Sequence, residues 1–124
     1  MTKILVAEDE RDIRDLIAFT LRFAGYEVVA VENGEEAYNA APQEMPDLIM
    51  MDVRMPRMTG YEACQKMKAD SRVQHIPVVF LSAKGQDAEI RTGMEMGATE
   101  YFLKPFGPME LTEKVKEVLA RFGK

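Results

Sequence analysis

The sequence lacks the features that mark secreted and membrane proteins. It contains one cysteine, so no internal disulfide can form, which agrees with a reducing compartment. No apolar run approaches the roughly 18 residues that a membrane span needs. The chain shows no charged-then-apolar leader segment. We therefore expect a cytoplasmic protein that makes no contact with a membrane.

Basic clusters are also missing. The 16 lysines and arginines are outnumbered by 21 aspartates and glutamates, which gives a net charge of -5. This balance argues against direct nucleic-acid binding, because phosphate backbones are bound by clustered positive charge. With 124 residues, 47% of them hydrophobic, the chain has material for one core. We expect a single domain over residues 1–124.

Five short apolar runs alternate with segments of helical period, and they cover residues 3–8, 27–31, 47–51, 76–82 and 100–103. Runs that are apolar on both faces are typical of strands covered on both sides, and hence of a parallel sheet. Since crossovers between parallel strands are right-handed and carry helices, the pattern predicts an α/β fold: one doubly wound (βα)5 domain.

The intervening segments predict five helices. The first contains Ile13 and Leu16 on an inner face and ends at Gly25. The second opens at Asn33 and is closed by Pro42 or Pro46. The third starts with a capping box from Thr59 to Glu62, and the fifth starts at Pro108 and has Phe122 on its inner stripe. The fourth, over about 86–96, has the poorest apolar face and contains Gly93, so we expect it to be the least firmly held.

Polar residues follow the strands at the edge where doubly wound sheets bind ligands. These residues are Glu8 and Asp9 after the first strand, Asp52 after the third, Ser82 after the fourth and Lys104 after the fifth. Two carboxylates about 5 Å apart repel by roughly 3 kcal/mol at an effective dielectric of about 20. Positive charge must offset this repulsion, and oxygen ligands without nearby histidine or cysteine favour Mg²⁺. Beside Mg²⁺ and an ammonium, Asp52 can accept a phosphoryl group.

Four motifs carry a family resemblance. They are Glu8-Asp9, the D-x-x-M-P-x-M-x-G stretch from Asp52 to Gly60, Ser82-Ala83, and the lysine-proline-phenylalanine triplet at 104–106. With them the chain resembles, along essentially its whole length, the receiver domain of two-component response regulators. The resemblance implies the flavodoxin-like strand order 2-1-3-4-5.

The resemblance also implies a metal site. Asp9 and Asp52 are expected to bind Mg²⁺ directly, the backbone carbonyl of Arg54 is expected as a third ligand, and Glu8 is expected to act mostly through water. Glu8 stands where the family more often has aspartate, and its extra methylene can alter the ligation.

Phosphoryl chemistry follows from the same resemblance. Asp52 is expected to be the phosphoacceptor, charged by a phosphohistidine on a histidine kinase or phosphotransfer protein. Lys104 is expected to pair with the phosphoryl group. Ser82 and Tyr101 are expected to form the switch pair, in which the hydroxyl moves toward the phosphoryl group and the ring turns inward. Arg54 and Lys84 flank this region, and we hypothesise that they influence the phosphate lifetime.

The expected output is a change at one face, formed by the predicted fourth helix, the fifth strand and the fifth helix. This face would bind a downstream effector protein or a fused output domain, or would form a homodimer. The domain would not be an enzyme beyond its own phosphorylation and dephosphorylation. The cognate kinase, the pathway and the output do not follow from the sequence.

Other functions remain open. A nucleotide- or flavin-binding enzyme is disfavoured because AEDERD, after the first strand, has neither the glycine fingerprint nor a phosphate loop. An aspartyl-nucleophile phosphatase would need D-x-D, and residues 8–10 read E-D-E. A degenerate receiver that binds a partner without phosphorylation is a further alternative. The chain can also be either a stand-alone receiver or a fragment of a larger DNA-binding regulator.

Overall fold

The computed structural model describes residues 1–83, 91, 94–95, 97–104 and 107–124. These residues form five strands and four helices of defined extent. In chain order they are β1 Lys3–Ala7, α1 Arg11–Phe23, β2 Glu27–Val31, α2 Gly34–Glu44, β3 Leu48–Asp52, α3 Gly60–Lys68, β4 Val78–Ala83, β5 Glu100–Lys104 and α4 Pro108–Arg121. The helix predicted over 86–96 lies mostly outside the described residues, and α4 is therefore the fifth predicted helix.

The strands form one parallel sheet in the order β2-β1-β3-β4-β5. This confirms the predicted fold and strand order. β3 lies in the middle between β1 and β4, and every residue of β3 is buried. The expectation that all five runs are covered on both faces is wrong for β2, where Glu27 and Ala30 are exposed. The reason is that β2 is an edge strand, with a neighbour on one side only.

Side chains that alternate along the strands build a core on each face of the sheet. Leu5 and Ala7 of β1 point to the side that holds α2 and α3. Ile4 and Val6 point to the side that holds α1 and α4. Both faces of β1 are therefore sealed from water, and the polar residues that follow it emerge at the rim.

The helix ends follow the sequence signals closely at two places. Gly25 has a φ of +99° after α1, and its N–H and that of Tyr26 donate to Arg22 and Leu21, which satisfies carbonyls at the helix end. Thr59 caps α3 through the full capping box with Glu62, as predicted.

Of the two prolines predicted as alternative ends of the second helix, Pro46 is confirmed and Pro42 is not. Pro42 lies inside α2, which continues to Glu44 and ends at Met45 in the left-handed conformation, with a φ of 46°. A proline so near the end costs one intrahelical hydrogen bond, and the Met45 N–H still donates to the Ala41 carbonyl at 2.9 Å.

Two residues predicted on inner helix faces are exposed. Leu16 of α1 is 51% exposed, and Phe122, just after α4, is 43% exposed. Both belong to the expected periodic pattern but lie at its margin, next to buried residues such as Ile17 and Leu119. No described helix combines the length and apolar character needed to cross a membrane.

Candidate functional site

Three carboxylates meet at the carboxyl edge of the sheet. Glu8 and Asp9 directly follow β1, and Asp52 is the last residue of the neighbouring β3. Because Ala7 pairs with Met51, the next residue of each strand reaches the same level. Carboxylate oxygens of the three residues lie within 4.8 Å of one another. The predicted convergence of these acids is therefore present in the structure.

Three hydrogen bonds fix Glu8, two at its backbone and one at its carboxylate. The Glu8 N–H donates to the Val31 carbonyl at 3.1 Å, which extends the pairing of β1 with β2. Arg14 of α1 donates through Nη1 to the Glu8 carbonyl at 3.0 Å. The Glu10 N–H donates to Glu8 Oε2 at 3.3 Å. Glu8 is completely buried, whereas Asp9 is exposed.

Asp52 lies at the tip of a rigid strand and is 8% exposed. The next N–H, that of Val53, donates to the Leu81 carbonyl at 3.2 Å, so the pairing with β4 extends one residue past β3. The Arg54 N–H donates to Asp52 Oδ1 at 3.1 Å. This local turn is one that aspartate forms readily, and it sets the orientation of the carboxylate.

Two glycines hold the loop that follows Asp52. The Gly60 N–H donates to the Val53 carbonyl at 3.0 Å, and the Gly34 N–H donates to the Met58 carbonyl at 3.1 Å. A Cβ atom on Gly60 would overlap the Asp52 carbonyl oxygen, and one on Gly34 would overlap the Met58 carbonyl oxygen. The sequence indicated Gly60 only as part of a motif and gave no signal for the contact of Gly34 with Met58.

Ser82 and Lys104 lie on the strands beyond β3. Asp52 pairs with Leu81, so Ser82 is one residue further along β4 toward the carboxyl edge, and it is 2% exposed. The backbone of Lys104 ends β5 opposite Ala83. The Lys104 side chain, Lys84, Pro105 and Phe106 lie outside the described residues. Arg54 is exposed.

Tyr101 is buried, at 8% exposure, and its hydroxyl lies 2.9 Å from that of Tyr61 on α3. The Phe80 ring lies between these tyrosines, with its centroid 5.2 Å from the Tyr61 ring and 5.7 Å from the Tyr101 ring. Tyr101 was predicted as a switch residue. No spacing signal in the sequence indicates the contact of Tyr61 with β5.

The carboxylate cluster suits a small, hard dication. In an octahedral Mg²⁺ site with ligands at about 2.1 Å, donor oxygens lie roughly 3 to 4 Å apart. A spacing within 4.8 Å allows direct contact by some of the three residues and contact through water by the others. No histidine or cysteine belongs to the cluster, so oxygen donors alone define its preference.

Residues 4–116 match the family model described as "Response regulator receiver domain". Among curated proteins, the probable transcriptional regulator ycf27 of Guillardia theta is 43% identical over 98% of this chain and 47% of its own length. The phosphate regulon transcriptional regulatory protein PhoB of Pseudomonas aeruginosa is 40% identical over 97% of this chain and 52% of its own length. The chain thus spans about half the length of these curated relatives.

Solved structures of receiver domains and response regulators superpose on this chain. The chemotaxis response regulator CheY4 of Vibrio cholerae superposes with a TM-score of 0.90, at 34% identity, and covers 95% of this chain and 98% of that chain. The receiver domain of sensor histidine kinase PA1611 from Pseudomonas aeruginosa superposes with a TM-score of 0.88, at 28% identity, over 96% and 98% of the two chains. The latter is described with a magnesium ion coordinated in its active site cleft.

Proposed function

This chain belongs to the response regulator receiver domain family, and from that premise we propose that residues 1–124 form one receiver domain with Asp52 as its phosphoacceptor. A histidine kinase or a phosphotransfer protein supplies the phosphoryl group as a phosphohistidine. One Asp52 carboxylate oxygen bonds to phosphorus while the histidine nitrogen leaves. The observation that carries this proposal is the acid cluster at the tip of β3, where Asp52 lies within 4.8 Å of Glu8 and Asp9.

The same cluster is proposed to hold Mg²⁺. Asp9, Asp52 and the backbone carbonyl of Arg54 bind the ion directly, and Glu8 reaches it through water. When bound, Mg²⁺ neutralises the carboxylates and the charge on the phosphoryl oxygens. The chain contributes the positioning, because the Arg54 N–H orients Asp52 at 3.1 Å and Arg14 anchors the backbone of Glu8.

Two further residues act on the phosphoryl group in this proposal. Lys104 pairs with one of its oxygens, and the Ser82 hydroxyl donates to another. Ser82 lies on β4 one residue past the partner of Asp52, and this position at the same edge of the sheet supports its proposed role. As Ser82 moves toward the phosphoryl group, Tyr101 fills the space behind it. The domain catalyses only its own phosphorylation and dephosphorylation.

The change is proposed to be transmitted through β5 and α4 together with the predicted fourth helix, which lies mostly outside the described residues. We propose that this face binds a downstream effector protein, a fused output domain or a second phosphorylated copy. A fused output domain would make the chain part of a larger cytoplasmic regulator that binds DNA. The alternatives are a stand-alone receiver and a degenerate receiver that acts without phosphorylation.

The proposal is tested by incubating the protein with a small acyl phosphate donor and Mg²⁺ and measuring the intact mass. The wild type should gain one phosphoryl group, and Asp52→Asn should gain none. Asp47→Asn is the matched control, because Asp47 immediately precedes the opposite end of the same strand. A gain that persists in Asp52→Asn, or is absent in the wild type, would exclude Asp52 as the acceptor, and the second result would favour the degenerate receiver.

A further inference from the structure

A large apolar patch lies on the outer side of α1. It consists of Leu16, Phe19 and Phe23, together with Met109 from the start of α4. Their exposed fractions are 51%, 69%, 86% and 83%, respectively. The Phe19 and Phe23 rings are stacked, with centroids 6.3 Å apart and planes 20° apart, so they present one continuous surface. We call these four residues the α1 patch.

The area of the α1 patch is suited to an interface. At about 200 Å² for each large apolar side chain, the exposed fractions amount to roughly 550 Å². This lies at the upper end of the apolar patches found on monomers, about 300 to 600 Å². A standard interface buries about 800 Å² per partner, of which about 56 to 65% is apolar. The α1 patch therefore supplies the apolar share of one such interface.

The charges beside the patch are self-complementary. Leu16, Phe19 and Phe23 recur at helical spacing and form a stripe along α1. Asp15 and Arg22 lie seven residues apart and flank this stripe on the same side, since seven residues are two helical turns. Both are exposed. The acidic residue is thus near the start of the stripe and the basic one near its end.

We propose that the α1 patch binds a second copy of this chain, with the two α1 helices antiparallel about a twofold axis close to Phe19. A twofold axis makes each contact occur twice, with the same residues contributed by each protomer. In this arrangement Phe19 lies against Phe19 of the partner subunit, and Leu16 lies against Phe23 of the partner subunit. Asp15 of each copy faces the partner's Arg22.

These charges and the location of the patch favour a second copy of this chain over a membrane surface. An anionic membrane surface is unsuited to it, because the exposed acids of α1, Asp12 and Asp15, offset its exposed bases, Arg11 and Arg22, and the chain has a net charge of -5. A groove of about 510 Å³ between α1 and α4, lined by Leu16, Phe23 and Met109 among others, leaves room for an aromatic ring of the partner. None of the proposed phosphoryl or metal residues belongs to the patch, so this contact requires no phosphorylation.

The first test is sedimentation equilibrium of the unphosphorylated chain over about 1 to 500 µM, the range in which a modest interface of this size is expected to associate. The wild type should show a monomer–dimer equilibrium. Phe19→Ser should weaken the dimer by about 100-fold or more, because the change removes a central aromatic twice per dimer. Phe122→Ser is the matched control, since this exposed phenylalanine lies outside the patch, and its dimer should persist.

The second test exploits the twofold arrangement. Asp15→Arg alone and Arg22→Glu alone each place like charges opposite one another and should sediment mainly as monomers. An equimolar mixture of the two should form a mixed dimer, because both contacts then join opposite charges. Arg22 also donates to the Val28 carbonyl at 3.0 Å, so thermal melting must show that Arg22→Glu is folded. If Arg22→Glu is not folded, Phe19→Ser and Asp15→Arg still test the proposal.

A wild type that stays monomeric throughout the range would overturn the proposal, and the α1 patch would then belong to a different protein partner. A dimer that survives Phe19→Ser or Asp15→Arg would also overturn it, because the contact would lie on another face.

Discussion

Gly60 offers a direct test of how the backbone fixes the end of β3, the strand that ends at Asp52. Gly60 is the first residue of α3, and its N–H is bonded to the Val53 carbonyl. In Gly60→Ala the new Cβ would overlap the Asp52 carbonyl oxygen and lie 3.2 Å from Val53 Cα. Both neighbours are backbone atoms at the end of a buried strand, so no side-chain rotation can relieve the overlap. Either α3 or the end of β3 must move.

The expected magnitude follows from opposing effects. Overpacking of a well-packed site costs about 1 to 3 kcal/mol, and backbone neighbours place this case near about 3 kcal/mol. Alanine also restricts the unfolded chain, which returns about 0.4 to 1 kcal/mol. We therefore expect Gly60→Ala to lower the free energy of unfolding by about 2 kcal/mol. For a domain of this size the melting temperature should fall by roughly 6 to 12 °C.

Urea denaturation measures this difference, and Gly107→Ala is the matched control. Gly60 begins α3 and Gly107 immediately precedes α4, but a Cβ on Gly107 meets nothing within 4 Å, and its φ of -80° is ordinary for alanine. Its stability should stay within about 0.5 kcal/mol of the wild type. If the two variants were equally stable, the close approach of Gly60 to Asp52 would have no energetic consequence and the reasoning would be refuted.

Three further predictions concern other contacts. Tyr61→Phe and Tyr101→Phe should show a coupling energy of about 1 kcal/mol in a double-mutant cycle of unfolding, because their hydroxyls are bonded at 2.9 Å, and additive effects would argue against that bond. Hydrogen bonds from Arg72 lower the pKa of Asp70, so the wild type should be more stable than Arg72→Gln above the unfolded carboxyl pKa near 3.8. This advantage should be lost as the pH falls below that value. A difference in unfolding free energy that is the same at about pH 7 and about pH 2 would contradict this prediction. Burial raises the pKa of Cys64 to about 11, so an aromatic disulfide reagent should label the native protein at neutral pH only as fast as it unfolds, and rapid labelling without urea would show the thiol to be accessible.

The fold could be predicted well from the sequence because its strongest signals are local. Apolar runs such as 47–51 require cover on both sides, and Gly25 and Thr59 mark helix ends through their own backbone and side-chain chemistry. The sequence left Pro42 and Pro46 open as ends of the second helix, because the cost of a proline depends on how much helix remains beyond it. The exposure of β2 depends on its place at the edge of the sheet, and its own sequence does not reveal that place.

The acid cluster could also be predicted, since residues that end adjacent parallel strands must meet at one edge. Asp52 and Glu8 are adjacent for this reason. The partnership of Tyr61 with Tyr101 and the close approach of Gly34 to Met58 could not be predicted, because they join segments that are distant along the chain. Such contacts depend on the distance between a helix and the sheet, which periodicity does not specify.

The stripe of Phe19 and Phe23 was not recognised for a related reason. Both residues belong to a helix whose inner face is clearly defined by Ile17 and Leu21, and an apolar residue outside that face leaves no mark on the period. Only the exposed fraction of each ring distinguishes a surface patch from a margin of the core.

The glycine contacts at the two ends of residues 53–59 have a consequence for protein engineering. Gly34 reaches Met58 from the start of α2, and Gly60 is bonded to Val53 beside Asp52. Main-chain contacts to other elements hold this loop at both ends, so it cannot be exchanged independently of them. A loop grafted from a homologue would keep its conformation only if glycine were also present at both positions. Substitutions that alter this loop should therefore be made at exposed side chains, such as Arg57, and the main-chain path should be left unchanged.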